Sequence, residues 1–303
     1  MTTARLDAGS FNNDPALFID RAVKDFVRDS PSNVLKDAGG GPFFDEPLIG
    51  FASGDDLIFE EYKRVIGPHH LTPREALSAF YQSKGINSVP AHATVISFIM
   101  PIAKATRMKQ RRETKVGCLE WNRTRWTGQD FILELSRHVV SVLDGLGYHA
   151  VAPDAEKFHR VDMKAFTSNW SHRHMAFAAG LGTFGLTDGF LNPKGMAMRC
   201  GSVVTDAVIE PTPRKWSDPY GACLFYQNKE CGRCITRCPA GAITAKGHDK
   251  QKCSDYLNYG REIVKQLGRE GYIGHYAGCG LCQTKVPCES GIPTAASLEQ
   301  PLS

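Results

Sequence analysis

Cys223-x7-Cys231-x2-Cys234-x3-Cys238-Pro239, followed by Cys253 and then by Cys279-x2-Cys282-x5-Cys288, is the stretch on which the reading of this chain turns. It contains eight of the ten cysteines, and eight thiolates are what two cubane 4Fe-4S clusters require. In two-cluster runs of the form Cys-x2-Cys-x3-Cys-Pro the last cysteine ligates the other cluster. The same rule applied to both halves gives a crossed assignment. Cys223, Cys231, Cys234 and Cys288 hold one cluster; Cys238, Cys253, Cys279 and Cys282 hold the other.

Two intervening residues let both sulfurs of a Cys-x2-Cys loop face one metal centre. Gly232 and Gly280, each after the first cysteine of a pair, permit the tight turn, and Pro239 ends its loop. A structural zinc site also suits two Cys-x2-Cys pairs, but it leaves Cys223, Cys238, Cys253 and Cys288 without a role. Disulfides fit less well, because nothing in the sequence points to export.

The chain has 303 residues, 42% hydrophobic and 22% charged, with a formal net charge of +4. These are the proportions of a globular protein of one large or two ordinary domains. Met1 to Asp7 lack an apolar leader core, Arg111-Arg112 lies too deep for a twin-arginine signal, and no apolar run reaches spanning length. A cytoplasmic location without membrane attachment is the expectation. The mildly basic charge does not mark a nucleic-acid binder and suits an acidic electron donor or an anionic cofactor.

Before the cysteines the pattern alternates between helix and strand. Asp14-Pro15 opens a helix to Arg28, Asp55 to Ile66 reads as a second, and Thr72-Pro73-Arg74-Glu75 starts a third to about Lys84. Residues 37–54, broken by glycine and proline, read as loop. Ala93 to Ile102 is a buried β-branched strand, and Tyr148 to Ala152 and Met196 to Asp206 read as further strands. The basic, tryptophan-interrupted segment from Lys104 to Arg125 reads as a solvated loop or as an anion contact. Thr127-Gly128-Gln129-Asp130 leads into a helix to about Leu143. Cys118 and Cys200 read as structural thiols, and Glu210-Pro-Thr-Pro213 as a linker. The expected division is a helical region 1–90 packing on the core, an α/β (α+β) domain 91–215, and a two-cluster domain 216–295.

Two stretches of the middle domain carry candidate chemistry. One is His159-Arg160-Val161-Asp162. The other runs from Ser171-His172-Arg173-His174 through Ala179-Gly180-Leu181-Gly182 to Gly185, where Ser171 can cap a short helix. The glycines let backbone approach a ligand or simply pack tightly. The three histidines share no metal-ligand spacing and read as hydrogen-bonded or exposed groups. Asp162, taken alone, reads as a turn or cap aspartate.

The order of these motifs resembles the epoxyqueuosine reductases and their relatives, the reductive dehalogenases, over about residues 90 to 290. The resemblance rests on Val161-Asp162, on Ala179-Gly180-Leu181-Gly182 with Gly185, and on the doubled cysteine set with the lone Cys253 between its halves. Gly128-x-Asp130-Phe131 is similar to a further element of that family, with Ile132 in place of its histidine. The final Cys282-x5-Cys288 and the long gap from Cys223 to Cys231 depart from the family pattern.

The resemblance implies a nitroreductase-like domain holding a base-off cobamide (cobalamin), followed by a ferredoxin-like domain whose clusters feed electrons to cobalt. It implies Asp162 as proton donor, with Arg160, His172 and Arg173 as second choices. It implies Gly128, Asp130, Ala179, Gly180, Leu181, Gly182 and Gly185 around the cofactor. The expected activity is reduction of a small organic substrate, by dehalogenation or deoxygenation, with reduced ferredoxin or flavodoxin as donor. The alternatives are a corrinoid-free iron–sulfur or flavin reductase, and an electron-transfer or corrinoid-activating partner protein. A tRNA substrate is the less favoured reading.

Overall fold

In the computed structural model the structure describes residues 8–299, so the leader reading of Met1 to Asp7 lies outside the described residues. Helices α1 (Ala8–Asn13) and α2 (Pro15–Asp29) come first. Asp14 caps α2 by accepting from Leu17 N at 2.9 Å, with Pro15 in the first turn as expected. Strand β1 (Leu48–Ser53), α3 (Ile58–Val65), α4 (Pro73–Ser83) and β2 (Thr94–Pro101) follow. Thr72 and Glu75 form a full capping box at the start of α4.

Next come α5 (Lys104–Gln110), the long α6 (Leu119–Gly145), β3 (Ala150–Val151), the short hairpin β4 (Val161–Asp162) and β5 (Thr167–Ser168), and α7 (His172–Ala178). A second short hairpin, β6 (Thr183–Phe184) and β7 (Phe190–Leu191), precedes β8 (Met198–Thr205). The cysteine-rich part carries α8 (Leu224–Asn228), α9 (Arg233–Arg237), β9 (Ile243–Thr244), β10 (Gly247–His248), α10 (Lys250–Gln266) and α11 (Ala296–Glu299).

The main sheet is antiparallel with order β1-β2-β8-β3. All of β2 is buried, because both sheet faces are covered. Ile96, Phe98 and Met100 pack with α2 and α6 on one face; Val95 and Ile99 pack with α4 and α7 on the other. Each such side chain contributes about 1.5–3 kcal/mol by burial. Among the described residues no helix is long and apolar enough to cross a membrane.

Several expectations change here. Residues 48–53 are not loop but the edge strand β1, paired with β2 from Leu48↔Ile99 to Ser53↔Thr94. A boundary at residue 90 would cut this sheet, so the N-terminal region is part of the first domain. The basic segment is not a solvated loop: it forms α5 and the first turns of α6. Gly128 lies inside α6 rather than at its start, where a Cβ would meet the Phe44 ring at 3.2 Å. The 210–213 linker is tied along β1, with Thr212 N donating to Phe51 O at 2.9 Å.

Candidate iron–sulfur and redox site

The two halves of the cysteine-rich part fold across one another. Short helices α8 and α9 follow Cys223 and Cys231, and Gly280, at φ +62°, makes the turn between Cys279 and Cys282. Cys223, Cys231, Cys234 and Cys288 line one cavity. Cys238, Cys253, Cys279 and Cys282 line a second. Cys238 thus faces away from its sequence neighbours, and Cys288 returns to the first set.

Within each set burial and neighbouring thiols raise the sulfur groups. Cys234 is pushed up to about 12, by burial first and then by Cys231 and Cys223. Cys279 is pushed up to about 12 by burial, Cys253 and Cys238. Among the described residues no three His, Cys, Asp or Glu groups converge tightly enough to hold a single metal ion. Four sulfurs spread around a cavity suit a cubane; a tetrahedral zinc site needs them about 2.3 Å from one point.

The segment from Lys104 to Arg125 anchors this part to the first domain. Gln110 donates through Nε2 to Cys279 O at 2.6 Å and accepts from Cys118 N at 2.8 Å. Asn122 Nδ2 donates to Ile273 O and Ala277 O. Arg237 donates to the carbonyls of Glu113, Gln110, Arg111 and Thr284, beside Cys279 and Cys282. Nothing in the local sequence separates these polar docking groups from surface residues. Cys118 and Cys200 are structural thiols, raised to about 12 and about 11, chiefly by burial.

The second cavity, about 280 Å³, extends beyond its cysteines to Arg125 of α6, Arg173 of α7, Arg199 of β8, and Tyr276. Arg125 donates to the Tyr276 hydroxyl and also stacks on that ring, 5.3 Å from its centroid. His248 joins the same wall, raised to about 9 by hydrogen bonds to Asp188 and Cys253. Of the four residues proposed for catalysis, only Arg173 lines this chamber.

The others stand elsewhere. Asp162 is exposed on the β4–β5 hairpin, where its Oδ1 accepts from Lys164 N at 2.8 Å and Ala165 N at 2.9 Å. These backbone bonds hold its carboxyl below the ordinary range, the reverse of what a proton donor needs. The turn-aspartate reading is the one the geometry matches. Arg160 donates to the carbonyls of Lys157 and His159 in the same exposed loop. His172 uses both ring nitrogens on the protein, Nδ1 to Ser202 Oγ at 2.8 Å and Nε2 to Asp154 at 3.1 Å. Ser171 precedes α7 but its hydroxyl bonds His174 Nδ1 at 2.8 Å instead of capping the helix.

The glycine-rich loop is packed rather than open. A Cβ at Gly182 would stand 1.9 Å from Leu191 O, and one at Gly180 would stand 2.7 Å from Pro213 O. Ala179 and Leu181 are buried in the core between sheet and α7. Gly185 lines the first cysteine cavity. Gly128 is inside the core of α6, and Asp130 is exposed beside a separate surface cavity with Asp37 and Glu134. The expected cofactor cradle is therefore not assembled by these residues.

Residues 228–289 match the family of the 4Fe-4S double cluster binding domain. Epoxyqueuosine reductase of Bacillus cereus is 27% identical over 252 residues, covering 80% of this chain and 61% of that protein. The Bacillus anthracis protein of the same name is 27% identical over 250 residues, with the same coverage. The chain thus spans about three fifths of the length of these curated relatives. A crystal structure of epoxyqueuosine reductase with a tRNA-Tyr epoxyqueuosine-modified stem loop superposes with a TM-score of 0.50 at 16% identity. It covers 98% of this chain and 70% of that one, a likeness of fold. A selenomethionine-labelled epoxyqueuosine reductase gives the same score and identity over 95% of this chain and 68% of that one. The chain is thus similar to epoxyqueuosine reductases in sequence and in fold, and its residues 228–289 form a 4Fe-4S double cluster binding domain.

Proposed function

We propose that this protein is an iron–sulfur reductase in which two 4Fe-4S clusters, ligated in the crossed pattern, serve a reaction in the arginine-lined chamber. The observation that carries the reading is the division of eight cysteines into two sets of four around two adjoining cavities. When bound, the clusters supply electrons one at a time.

The chain's own residues do the rest. Arg237 and His248 place positive charge beside the second cysteine set. Arg125 fixes the Tyr276 hydroxyl as acceptor and leaves its phenolic proton for a second bond, so Tyr276 is the proton donor this reading favours in place of Asp162. Reduced ferredoxin or flavodoxin is the proposed donor, drawn as an acidic protein to a chain of net charge +4. A small organic substrate that accepts electrons and a proton, with loss of a halide or hydroxyl-type group, fits these parts. The proposed location is the cytoplasm.

A base-off cobamide is the cofactor the resemblance brings. The glycines expected to cradle it are filled by backbone, and the chamber of about 280 Å³ must also house the second cubane. Small-molecule pockets alone run to about 300–1,000 Å³, so a corrin does not fit this chamber as folded. No step is drawn through it.

A tRNA substrate is the second reading, favoured by the name of the curated relatives and by the solved complex with a tRNA stem loop. Steeply salt-dependent tRNA binding would support it.

The test is anaerobic purification from cells supplied with cobalamin, with iron, sulfide and cobalt analysis and EPR. About eight irons per chain and reduction of a substrate with a chemical reductant bear out the reductase. A chain that takes up no more than one cluster after reconstitution overturns it. Cobalt at one per chain would restore the cobamide; cobalt-free protein with full iron keeps the corrinoid-free reductase.

A further inference from the structure

The three arginines of the chamber come from three different elements and, among the described residues, have no carboxylate partner. Arg199 donates to Gln129 Oε1, Arg125 to the Tyr276 hydroxyl, and Arg173 to the carbonyl of Asp188. All three acceptors are neutral. The carboxylate on that side, Asp188, directs its Oδ2 to His248 at 3.1 Å. Arg199 Nε is buried and, among the described residues, has no hydrogen-bond partner. Burial, then Arg125, and more weakly Arg173, draw the Arg199 guanidinium down to about 10.

Arg125 and Arg199 are half-buried and Arg173 is exposed at the chamber's edge; like charges so placed repel one another, and an anion between them relieves that repulsion. The clusters' own charge is one candidate, because four thiolates make a cubane anionic. The three arginines belong to α6, α7 and β8 of the first domain, not to the cysteine part. The cation that the cysteine part itself supplies is Arg237, which donates to Thr284 O two residues beyond Cys282. The arginine trio lines the chamber from the first-domain side, and the cysteines line it from the other part of the chain.

We propose that Arg125, Arg173 and Arg199 form an oxyanion site for the carboxylate or phosphate group of the molecule that occupies this chamber. The inference rests on the reductase reading above and narrows it to an anionic substrate or a phosphate-bearing cofactor. Planar guanidinium forks from several directions suit the three oxygens of phosphate or the two of a carboxylate.

Calorimetric titration of the anaerobic, cluster-loaded protein tests the proposal, with inorganic phosphate and benzoate as probes. Saturable binding is expected, weakened about tenfold or more by Arg199→Gln and by Arg125→Gln and unchanged by the surface variant Arg64→Gln. Iron and sulfide content, measured in parallel, exclude a variant that has simply lost its clusters. Phosphate and benzoate separate the two sources. Arginine-dependent binding of phosphate alone assigns the site to a phosphate-bearing cofactor; benzoate preferred over phosphate assigns it to a carboxylate substrate. No saturable anion binding by the fully loaded wild type overturns the proposal. So does an Arg199→Gln protein that binds phosphate as well as wild type while its cluster midpoint potential shifts, the result for a cluster countercharge. Anion binding without any electron uptake from reduced methyl viologen would instead sink the reductase reading and leave the anion site standing.

Discussion

Arg111 Nε donates to Glu289 Oε2 at 2.8 Å, joining the end of α5 to the residue that follows the last cysteine. Glu289 is 2% exposed, and the same oxygen accepts from Lys285 N at 2.7 Å. The carboxylate therefore closes the Lys285-to-Glu289 loop and ties it to the first domain. Glu289→Ala leaves a guanidinium without its buried partner and opens the loop that presents Cys288. Breaking such a pair costs about 3 kcal/mol, the low end of the range because Arg111 keeps some solvent. Iron analysis should show selective loss of the cluster held with Cys223, Cys231 and Cys234, and a variant that keeps both clusters at wild-type stability contradicts this role.

The crossed cysteine sets give a second prediction. Cys238→Ala and Cys288→Ala should each lower iron by about half, to about four per chain, but leave different EPR signals. Loss of the same signal in both variants would refute the crossed assignment.

How much of this was legible in the sequence follows from how local each signal is. The cysteine sets were readable because ligand spacing and the proline after Cys238 are short-range marks, and α2 and α4 were readable from their caps. Strand β1 was hidden because Gly50 sits at its centre, where Ala179 O would lie 2.5 Å from a Cβ. That glycine serves tertiary packing, not a turn. Gly128 misled in the same way inside α6. The chamber was beyond reach, since Arg125, Arg173 and Arg199 are brought together only by a helix, a helix and a strand meeting at one end of the sheet. Asp162 was placed by resemblance, and local hydrogen bonding gives it a different task.

Gly182 separates packing from cofactor binding. With Leu191 O 1.9 Å from a Cβ, and backbone on that side unable to rotate away, Gly182→Ala should destabilise by at least about 3 kcal/mol. The loss should appear in urea denaturation with no cofactor added. A variant of normal stability that fails only in cofactor uptake would return the loop to a cradle.

Two buried histidines set the acid limit of the first domain. His70 is lowered to about 4 and His174 to about 3, both chiefly by burial. His70 Nε2 accepts from Ser171 N at 3.2 Å, a bond that only the neutral ring can make. Below its ordinary value near 6.5 the unfolded chain binds protons that the folded chain refuses, so stability rises with pH across this window. It is complete above about pH 6.5 and is lost as pH falls toward 4. His70→Gln, which can still accept from Ser171 N, should lose less stability than wild type between pH 7.5 and 5.0. Parallel pH curves for the two proteins would remove His70 as a cause.

Tyr276 gives the test closest to chemistry. Its hydroxyl accepts from Arg125 in the wall that also carries Cys253 and Cys279, and the proposed reading has its phenolic proton delivered to a group reduced in the chamber. A positioned proton donor contributes about 10²–10⁴-fold to rate. Tyr276→Phe removes that proton and keeps the ring on which Arg125 stacks, so iron content and phosphate affinity should stay near wild type. Turnover of a reducible substrate should fall by that factor, and a solvent deuterium isotope effect present in wild type should change. If turnover instead follows Asp162→Asn and is indifferent to Tyr276→Phe, the proton comes from the β4–β5 hairpin. That hairpin would then have to leave the exposed position it holds here and close over the chamber during reaction.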